Sequence, residues 1–301
     1  MRKLVATEEI SLAALLAGYG YSKTKAKQLL KYRAISVGNV PVTRHDQTLR
    51  PGEEVCIKSE KEEGDAGRVC RGLTILYQDE AIIVIDKAAG LLTIATEKEK
   101  TRTAYYRLNA WLKEESGSAR ERIFIVHRLD RETSGLLVFA RNEAAKRALQ
   151  GRWPETAKRY AAIVEGIPKE TSGRIASNLR ESKFLRVYSV RDRDGDGRPS
   201  VTNYQLVQAS GNYALLDISL ETGRKNQIRV HLADIGHPVA GDKKYGARTN
   251  PVGRLALHAY FLAFAHPVTG ERLEFRSLLP GKFKALFPDP TGLETGTVPK
   301  G

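Results

Sequence analysis

The sequence is poor in residues on which several protein classes depend. Its 301 residues include two cysteines, Cys56 and Cys70, one methionine and two tryptophans. Two thiols cannot form the dense disulfide framework of a small secreted domain, and neither belongs to a CxxC metal-binding pair. A reduced, cytoplasmic protein is therefore expected.

Long apolar runs are also missing. The longest, such as AIIVID at 81–86 and GLLVFA at 135–140, have the length of a β-strand and are too short to span a bilayer. An early basic pair opens the chain, but Glu8 and Glu9 interrupt the apolar stretch that a signal peptide needs. The sequence predicts no membrane segment and no membrane partner.

What the chain has in excess is positive charge. Lys and Arg number 49 against 35 Asp and Glu, so the formal net charge is +14. Such an excess favours a polyanionic partner, because each neutralised phosphate releases condensed counterions. A merely soluble basic protein would have the same charge, so this balance favours nucleic acid without identifying it.

Residues 1–58 have the pattern of a small α+β domain. Leu12, Leu15 and Leu16 lie at helical spacing and predict a first helix that ends near Gly18. A lysine-rich helical segment and two short strand-like runs with turns come after it. This order predicts a separate N-terminal domain.

The stretches GYSKTKAKQLLKYRAISVGNVPV and LRPGEEVCI resemble the small RNA-binding domain first described in a small-subunit ribosomal protein. The resemblance implies that the basic side chains of the second helix contact RNA. A solvated basic helix in a generic small domain is the alternative interpretation. The residues concerned are Lys23, Lys25, Lys27, Lys31 and Arg33.

The rest of the chain predicts a linker and a larger domain. Residues 59–72 are polar, charged and glycine-containing, which favours a linker. Over 73–290, strand patterns outnumber helical ones and often follow one another directly, which favours an α+β fold with a mixed, mainly antiparallel sheet. Helices are predicted after Asn142 as N-cap and before Gly236, and the tail at 291–301 is expected to be flexible.

The segment HRLDRETSGLLVFARN, residues 127–142, carries the most specific pattern. It places Asp130 on a polar loop between two apolar strands, where a carboxylate is held rigidly. Arg128 and Arg131 put positive charge beside it, which favours an ionised side chain. Taken by itself, this pattern fits a turn residue bonded to its own backbone better than a catalytic one.

This segment nevertheless resembles the catalytic motif of RluA-like pseudouridine synthases, in which HRLD precedes TSGLL. Further stretches resemble the family's other motifs in the expected order, and the likeness covers residues 73–285. Two departures are Ala88, where the family has Pro after Lys, and Asn226, where it commonly has His. The further stretches are YQDEAIIVIDKAAGLLT, KRYAAIVEG, LETGRKNQIRVHLADIGHPVAGDKKYG and RLALHAYFLAFAHPVTG.

The resemblance implies that uridine in RNA is converted to pseudouridine, with no cofactor and no metal. Asp130 would be the catalytic carboxylate, which either attacks the anomeric carbon or abstracts the 2′ proton. Arg229 would pair with Asp130, and Tyr160 would stack on the uracil and assist proton transfer. Arg128 would enter the helical stack when the base flips out. Further substrate contacts are expected from His127, Arg131, Thr133, Arg224 and Leu257.

Several alternatives stay open on the sequence alone. A non-catalytic RNA-binding or ribosome-assembly factor would use the same basic surface. A glycosidic hydrolase would need a second carboxylate at a defined separation from Asp130, and no such pair stands out. Family analogy favours large-subunit ribosomal RNA as the substrate, with transfer RNA as the alternative. The chain is expected to act as a monomer and not on DNA.

Two patterns are interpreted as structural. RDRDGDG, residues 191–197, matches the opening of a calcium loop, but Asn203 stands where the bidentate Glu is required, so a turn is expected. The histidines have no spacing typical of metal ligands. His127 and His258 are expected to be hydrogen-bonded structural residues beside the active site.

Overall fold

The computed structural model divides the chain into two compact units. Met1–Val69 and Ile75–Gln78 form the first, and Cys70–Thr74 and Asp79–Gly301 form the second. The residues described are 2–21, 26, 30, 35–37, 40–42, 46–57, 68–70, 72–118, 121–190, 197–288 and 290–293. Outside them lie Lys23, Lys25, Lys27, Lys31, Arg33 and residues 191–196, the first six of the calcium-like segment.

The elements of the first unit are β1 Arg2–Val5, β2 Ile10–Ser11, α1 Leu12–Gly18, β3 Ile35–Val37, β4 Val40–Pro41, β5 Thr48–Leu49 and β6 Glu54–Ile57. Strands follow the order β1-β6-β3-β4 in one sheet, and β2 pairs with β5. The Ser11 hydroxyl accepts a hydrogen bond from the Ala14 N–H at 3.2 Å and so caps α1. Leu12, Leu15 and Leu16 are buried in a common core, as their spacing predicts.

The second unit holds the larger sheet; β7 and β8 cross the boundary between the units. Its elements are β7 Arg68–Cys70, β8 Leu73–Gln78, β9 Ile82–Lys87, α2 Ala104–Ser116, β10 Phe124–Ile125, β11 Ser134–Ala140, α3 Glu143–Gly151, β12 Ala157–Glu165, β13 Ser172–Glu181, β14 Val187–Val190, β15 Arg198–Ser210, β16 Tyr213–Leu220, α4 Gln227–Asp234, β17 Leu257–Ala265, β18 Arg272–Arg276 and α5 Gly281–Leu286.

The sheet of the second unit is mixed and mainly antiparallel. Its strands run in the order β14-β13-β15-β16-β12-β17-β11-β9, with β10 paired to β11 and β18 to β17. Neighbours in this series are antiparallel except β11 and β17, which are parallel. The predicted α+β class with a mainly antiparallel sheet is therefore confirmed.

Three elements were not expected from the sequence pattern. Helix α2 begins after Thr103, whose hydroxyl accepts from the Tyr106 N–H at 3.0 Å, and ends before Gly117 in the left-handed region. Helix α5 also lies where no helix was predicted. Strand β7 lies inside the segment predicted to be a linker. Both α2 caps are visible in the sequence, whereas α5 and β7 are too short for a periodic pattern.

Gly135 allows β11 to lie close beside β17. Its φ of +114° is a conformation that side-chain-bearing residues rarely adopt. A Cβ at this position would overlap the Ala259 carbonyl of the neighbouring strand. The glycine of the TSGLL sequence is thus required by the parallel pairing itself.

Candidate active site

Strand β17 brings the loop of Asp130 and the side chain of Tyr160 to one end of the sheet. On one side of β17, Ser134 of β11 pairs with His258. On its other side, Tyr160 of β12 pairs with Ala259, just after a register shift at Arg159. Because neighbouring strands are about 4.8 Å apart, the start of β11 and Tyr160 lie two strand spacings from each other.

A cleft of about 320 Å³ opens at this end of the sheet. The three residues expected to be catalytic, Asp130, Tyr160 and Arg229, all line it. Arg131, expected to bind substrate, is absent from the lining, and its Nε donates to the Gly90 carbonyl at 3.2 Å. Five expected substrate contacts do line the cleft: His127, Arg128, Thr133, Arg224 and Leu257.

Asp130 and Arg229 form an ion pair, as expected, but it is not the principal contact of the arginine. The Arg229 Nη1 lies 3.5 Å from the Asp130 Oδ2. Asp242 accepts from the Nε and Nη2 of the same guanidinium at 2.6 and 2.8 Å. The Asp130 side chain is 21% exposed, whereas that of Asp242 is 1% exposed. Asp242 therefore fixes the guanidinium, and Asp130 stays available to the cleft.

Asn226 and Tyr245 also contact Arg229. The Asn226 Oδ1 accepts from the Arg229 Nη1 at 3.1 Å, and its Nδ2 donates to the Tyr245 hydroxyl at 3.0 Å. The Tyr245 ring centroid lies 4.9 Å from the guanidinium carbon. Burial is the largest influence and opposes the charge, but the hydrogen bonds and the charge of Asp242, together with the charge of Asp130, raise the pKa of Arg229. Asn226 thus supports the arginine directly, in a left-handed conformation that Asn tolerates.

Gln227 holds the loop that carries Arg224 into the cleft. Its Oε1 accepts from the Arg224 N–H at 3.0 Å and from the Thr222 hydroxyl at 2.9 Å. Its Nε2 donates to the Val201 carbonyl at 2.9 Å and to the Thr202 Oγ1 at 3.0 Å. Four bonds from one buried amide fix the loop between β16 and α4 against β15.

Tyr160 keeps its phenolic proton. Burial, and then the charge of Asp130, raise the pKa of Tyr160 above its ordinary value. A protonated phenol can donate a hydrogen bond and present its ring to a base, but it does not act as a phenolate at neutral pH. Tyr160 can therefore take part in proton transfer as a hydrogen-bond donor but not as a phenolate base.

The comparisons with known proteins agree with this geometry. A family model described as RNA pseudouridylate synthase matches residues 81–234. An uncharacterized RNA pseudouridine synthase of Bacillus subtilis, YlyB, is 34% identical over 265 residues, which cover 86% of each chain. This chain belongs to the RNA pseudouridine synthase family.

Two further matches extend this result. Ribosomal large subunit pseudouridine synthase D of Neisseria meningitidis serogroup B is 34% identical over 285 residues, which cover 89% of this chain and 74% of the relative. The solved structure of human RNA Pseudouridylate Synthase Domain Containing 4 is 26% identical with a TM-score of 0.59, over 72% of this chain and 92% of that one. The expected enzyme class, an isomerase that makes pseudouridine in RNA, is confirmed.

A buried polar chain secures the start of β11, just after the loop of Asp130. Arg254 donates to the Ser134 hydroxyl at 2.9 Å, and Ser134 bonds the His258 Nδ1 at 2.8 Å. The His258 Nε2 contacts the Ser277 hydroxyl at 3.1 Å, which in turn donates to Asp86. Burial, and then the charge of Arg254, lower the pKa of His258 to about 3. His258 is therefore a neutral structural residue, as the sequence suggested.

Lys87 secures the same loop from the other side. It is fully buried, and its Nζ donates to the carbonyls of Ala88, Leu91 and Arg131 at 3.0, 2.9 and 3.3 Å. Burial lowers the pKa of Lys87 to about 8. Since Arg131 directly follows Asp130, this ammonium ties the loop of Asp130 to the loop after β9. That contact forms although Ala88 replaces the family's usual proline.

His127 lies in the cleft wall of the synthase rather than in a metal site. Its Nε2 accepts from the Val138 N–H at 3.1 Å, and its ring centroid lies 4.3 Å from that of Trp153. Burial, and then the charge of Lys158, lower the pKa of His127 to about 3. This imidazole is neutral near neutral pH and forms part of the cleft wall.

The described part of the chain has neither a cluster of metal ligands nor a membrane-spanning helix. Within it, no group of three or more His, Cys, Asp or Glu side chains could hold a metal ion. No helix there is long and apolar enough to cross a membrane.

Proposed function

We propose that the enzyme isomerises uridines of large-subunit ribosomal RNA, with Asp130 as its essential carboxylate acting on a base flipped into the cleft. The observation that carries this proposal is the placement of Asp130 in the cleft, 3.5 Å from a guanidinium that Asp242 already holds. The ribosomal substrate is supported by the Neisseria relative named for the large subunit and by the net charge of +14.

The arrangement accounts for the first chemical step. Arg229 orients the carboxylate and leaves its oxygens accessible, since the N–H groups of Arg229 are bonded mainly to Asp242. The ionised Asp130 then attacks the anomeric carbon or removes the 2′ proton, and either step cleaves the bond from C1′ to N1. The freed uracil turns and its C5 bonds to C1′, while Asp130 leaves C1′ or returns the proton to C2′. C5 then loses its proton, and N1 ends with one.

Tyr160 and Arg128 are assigned supporting parts in this reaction. Tyr160, being protonated, presents its ring to the uracil and donates a hydrogen bond while the base turns. Arg128 is exposed, lines the cleft and stands two residues before Asp130. It can therefore fill the gap in the helical stack after the uridine leaves, which offsets part of the unstacking cost.

The first unit is assigned to RNA binding. This rests on the order of its helix and strands and on the basic side chains Lys23, Lys25, Lys27, Lys31 and Arg33, which lie outside the described residues. We assign residues 1–58 to this domain, 73–290 to the catalytic domain, and the intervening and terminal segments to a linker and a tail. A cytoplasmic, monomeric enzyme is part of the same proposal.

Pseudouridine mapping tests the proposal. Total RNA would be mapped in cells lacking the protein and in the same cells supplied with wild type or with Asp130→Asn. We expect one or more large-subunit sites to disappear in the deletion and to return only with wild type. Sites lost from transfer RNA alone would overturn the assigned substrate, and sites restored by the variant would overturn the role of Asp130.

A further inference from the structure

Lys158 is a buried ammonium in the cleft that the reaction described above does not use. It stands on β12 two residues before Tyr160, and it lines the cleft together with Tyr160 and Asp130. The residue is 9% exposed. Its Nζ donates to the Trp153 carbonyl at 3.1 Å and lies 5.5 Å from the centre of the Trp153 ring. One acceptor thus holds the amine, and two of its N–H bonds remain.

Within the described part of the chain, the ammonium of Lys158 has no anionic partner. No carboxylate of the described residues lies within ion-pair distance of Lys158, and burial lowers the pKa of Lys158 to about 8. Asp130 is the one carboxylate of the cleft lining, and Arg229 already faces it. The remaining charged groups of the lining are cations: Arg128, Arg224, Lys225 and Arg229.

A buried cation without a counter-ion costs stability, because desolvation is not offset by an ion pair. His127 beside it is neutral, and its pKa is lowered partly by this same charge, so His127 does not offset the charge. The presence of an unpaired ammonium at this position is explained if an anion binds in the cleft during the reaction. In a uridine of RNA, the anionic groups are the phosphates on its 5′ and 3′ sides.

We propose that Lys158 binds a non-bridging oxygen of a phosphate attached to the target uridine. This inference rests on the proposed function in that the cleft must hold uridine, but it does not depend on which RNA is modified. The uracil oxygens are a weaker match, since they are neutral until the glycosidic bond breaks. A single ammonium with free N–H bonds suits one phosphate oxygen, as a lysine point charge commonly does.

Mononucleotides test the site without knowledge of the RNA. Binding of uridine, uridine 5′-monophosphate and uridine 3′-monophosphate would be measured for wild type, Lys158→Met, Lys158→Arg and Lys169→Met. Lys169 is exposed, is not part of the cleft lining and serves as the matched control. We expect one of the two nucleotides to bind wild type about 10-fold to 100-fold more tightly than uridine does.

This preference should vanish in Lys158→Met and persist in Lys158→Arg and Lys169→Met. Unchanged uridine affinity in Lys158→Met would show that its cleft is intact. The same preference in Lys158→Met as in wild type would overturn the phosphate site, whatever the mapping of cellular RNA shows. A loss confined to the rate of base cleavage on RNA, with the nucleotide preference kept, would also overturn it and assign the ammonium to the leaving uracil.

A second measurement serves if Lys158→Met does not fold. The phosphate is already a dianion above its pKa of about 6. Raising the pH through the Lys158 pKa of about 8 should therefore weaken nucleotide binding in wild type but not in Lys158→Arg. Asp130, His127 and the cleft arginines face the site in both proteins, so the comparison isolates residue 158. Parallel curves for the two proteins would contradict the proposal.

Discussion

At the scale of single residues, the surroundings of Asp130 depend on a second carboxylate, Asp242, which lies outside the segment at 127–142 that carries Asp130. Asp242 holds Arg229 by two hydrogen bonds, while Asp130 lies at the longer distance of 3.5 Å. Without Asp242, the guanidinium would be free to bond Asp130 directly and occupy the oxygens needed for reaction. In the proposed reaction, Asp242 is thus a positioning residue that acts through Arg229.

Asp242→Asn should lower the single-turnover rate by about 10-fold to 100-fold, because one charged hydrogen bond of this kind is worth about 1.5–3 kcal/mol. The dissociation constant for RNA should change little, since Asp242 is buried and contributes no cation. The rate at saturating enzyme would be measured beside that of Glu170→Gln, an exposed carboxylate-to-amide control. A variant with the wild-type rate would show that Arg229 does not need Asp242.

The lowered pKa of His258 predicts that the stability of the protein falls in acid. The unfolded chain binds a proton at this residue below about pH 6.5, whereas the folded protein binds one only near pH 3. Acid therefore favours the unfolded state, and wild type should lose about 2 kcal/mol through His258 between pH 7.5 and pH 5.

His258→Gln should be less stable than wild type at pH 7.5, because bonds to Ser134 and Ser277 are weakened. The difference should shrink by about 2 kcal/mol at pH 5, since glutamine does not titrate. Free energies of unfolding from denaturant titration at the two pH values would measure this. A constant difference would mean that His258 is not held neutral.

At the scale of elements, the site is assembled by β17, which has β11 on one side and β12 on the other. The loop of Asp130 and the side chain of Tyr160 are each recognisable in the sequence. Their closeness is not, because it depends on a parallel pair between strands more than a hundred residues apart. Local periodicity carries no information on which strands become neighbours.

Because local patterns do not show which elements become neighbours, several site residues could not be predicted from the sequence. Lys87 and Lys158 bond to backbone carbonyls, which any residue can supply, so no side-chain pattern marks them. Asp242 lies in a stretch quoted for its family likeness, but its partner Arg229 is on a different element. Arg131 was expected at the substrate because it adjoins Asp130, yet its side chain turns toward Gly90.

Gly135→Ala tests the close pairing of β11 and β17. The added Cβ would meet the Ala259 carbonyl, and φ is +114°, so we expect a loss of about 3 kcal/mol or more in the free energy of unfolding. Gly151→Ala is the matched control, because its Cβ would meet nothing within 4 Å at the end of α3. That control should change stability by less than about 1 kcal/mol. Equal effects at both positions would contradict the account of the strand pair.

At the scale of the whole molecule, the sequence shows the excess of positive charge, while the predicted domain bounds at 1–58 and 73–290 stay a prediction. The catalytic family and its mainly antiparallel fold were also predicted, because five motifs occur in order along the chain. Which RNA is bound could not be predicted in this way, since phosphate contacts carry no sequence information.

The basic side chains of the first unit should affect the affinity for RNA more than the rate of the chemical step. Changing Lys23, Lys25, Lys27, Lys31 and Arg33 to Gln should weaken RNA binding by about 10-fold or more and reduce its salt dependence. The single-turnover rate at saturation should stay within about threefold of wild type, because the cleft is untouched. The control replaces an equal number of exposed lysines of the second unit: Lys98, Lys100, Lys113, Lys169 and Lys284. Equal losses of affinity in both variants would refute a dedicated RNA-binding unit.

The most direct test of the central claim is the single-turnover rate of pseudouridine formation by Asp130→Asn on the mapped RNA. The amide keeps the size of the side chain but can neither attack C1′ nor remove the 2′ proton, so the rate should fall by about four orders of magnitude or more. RNA affinity should stay within a few-fold of wild type. A variant that forms pseudouridine at a rate near that of wild type would contradict the assignment of Asp130.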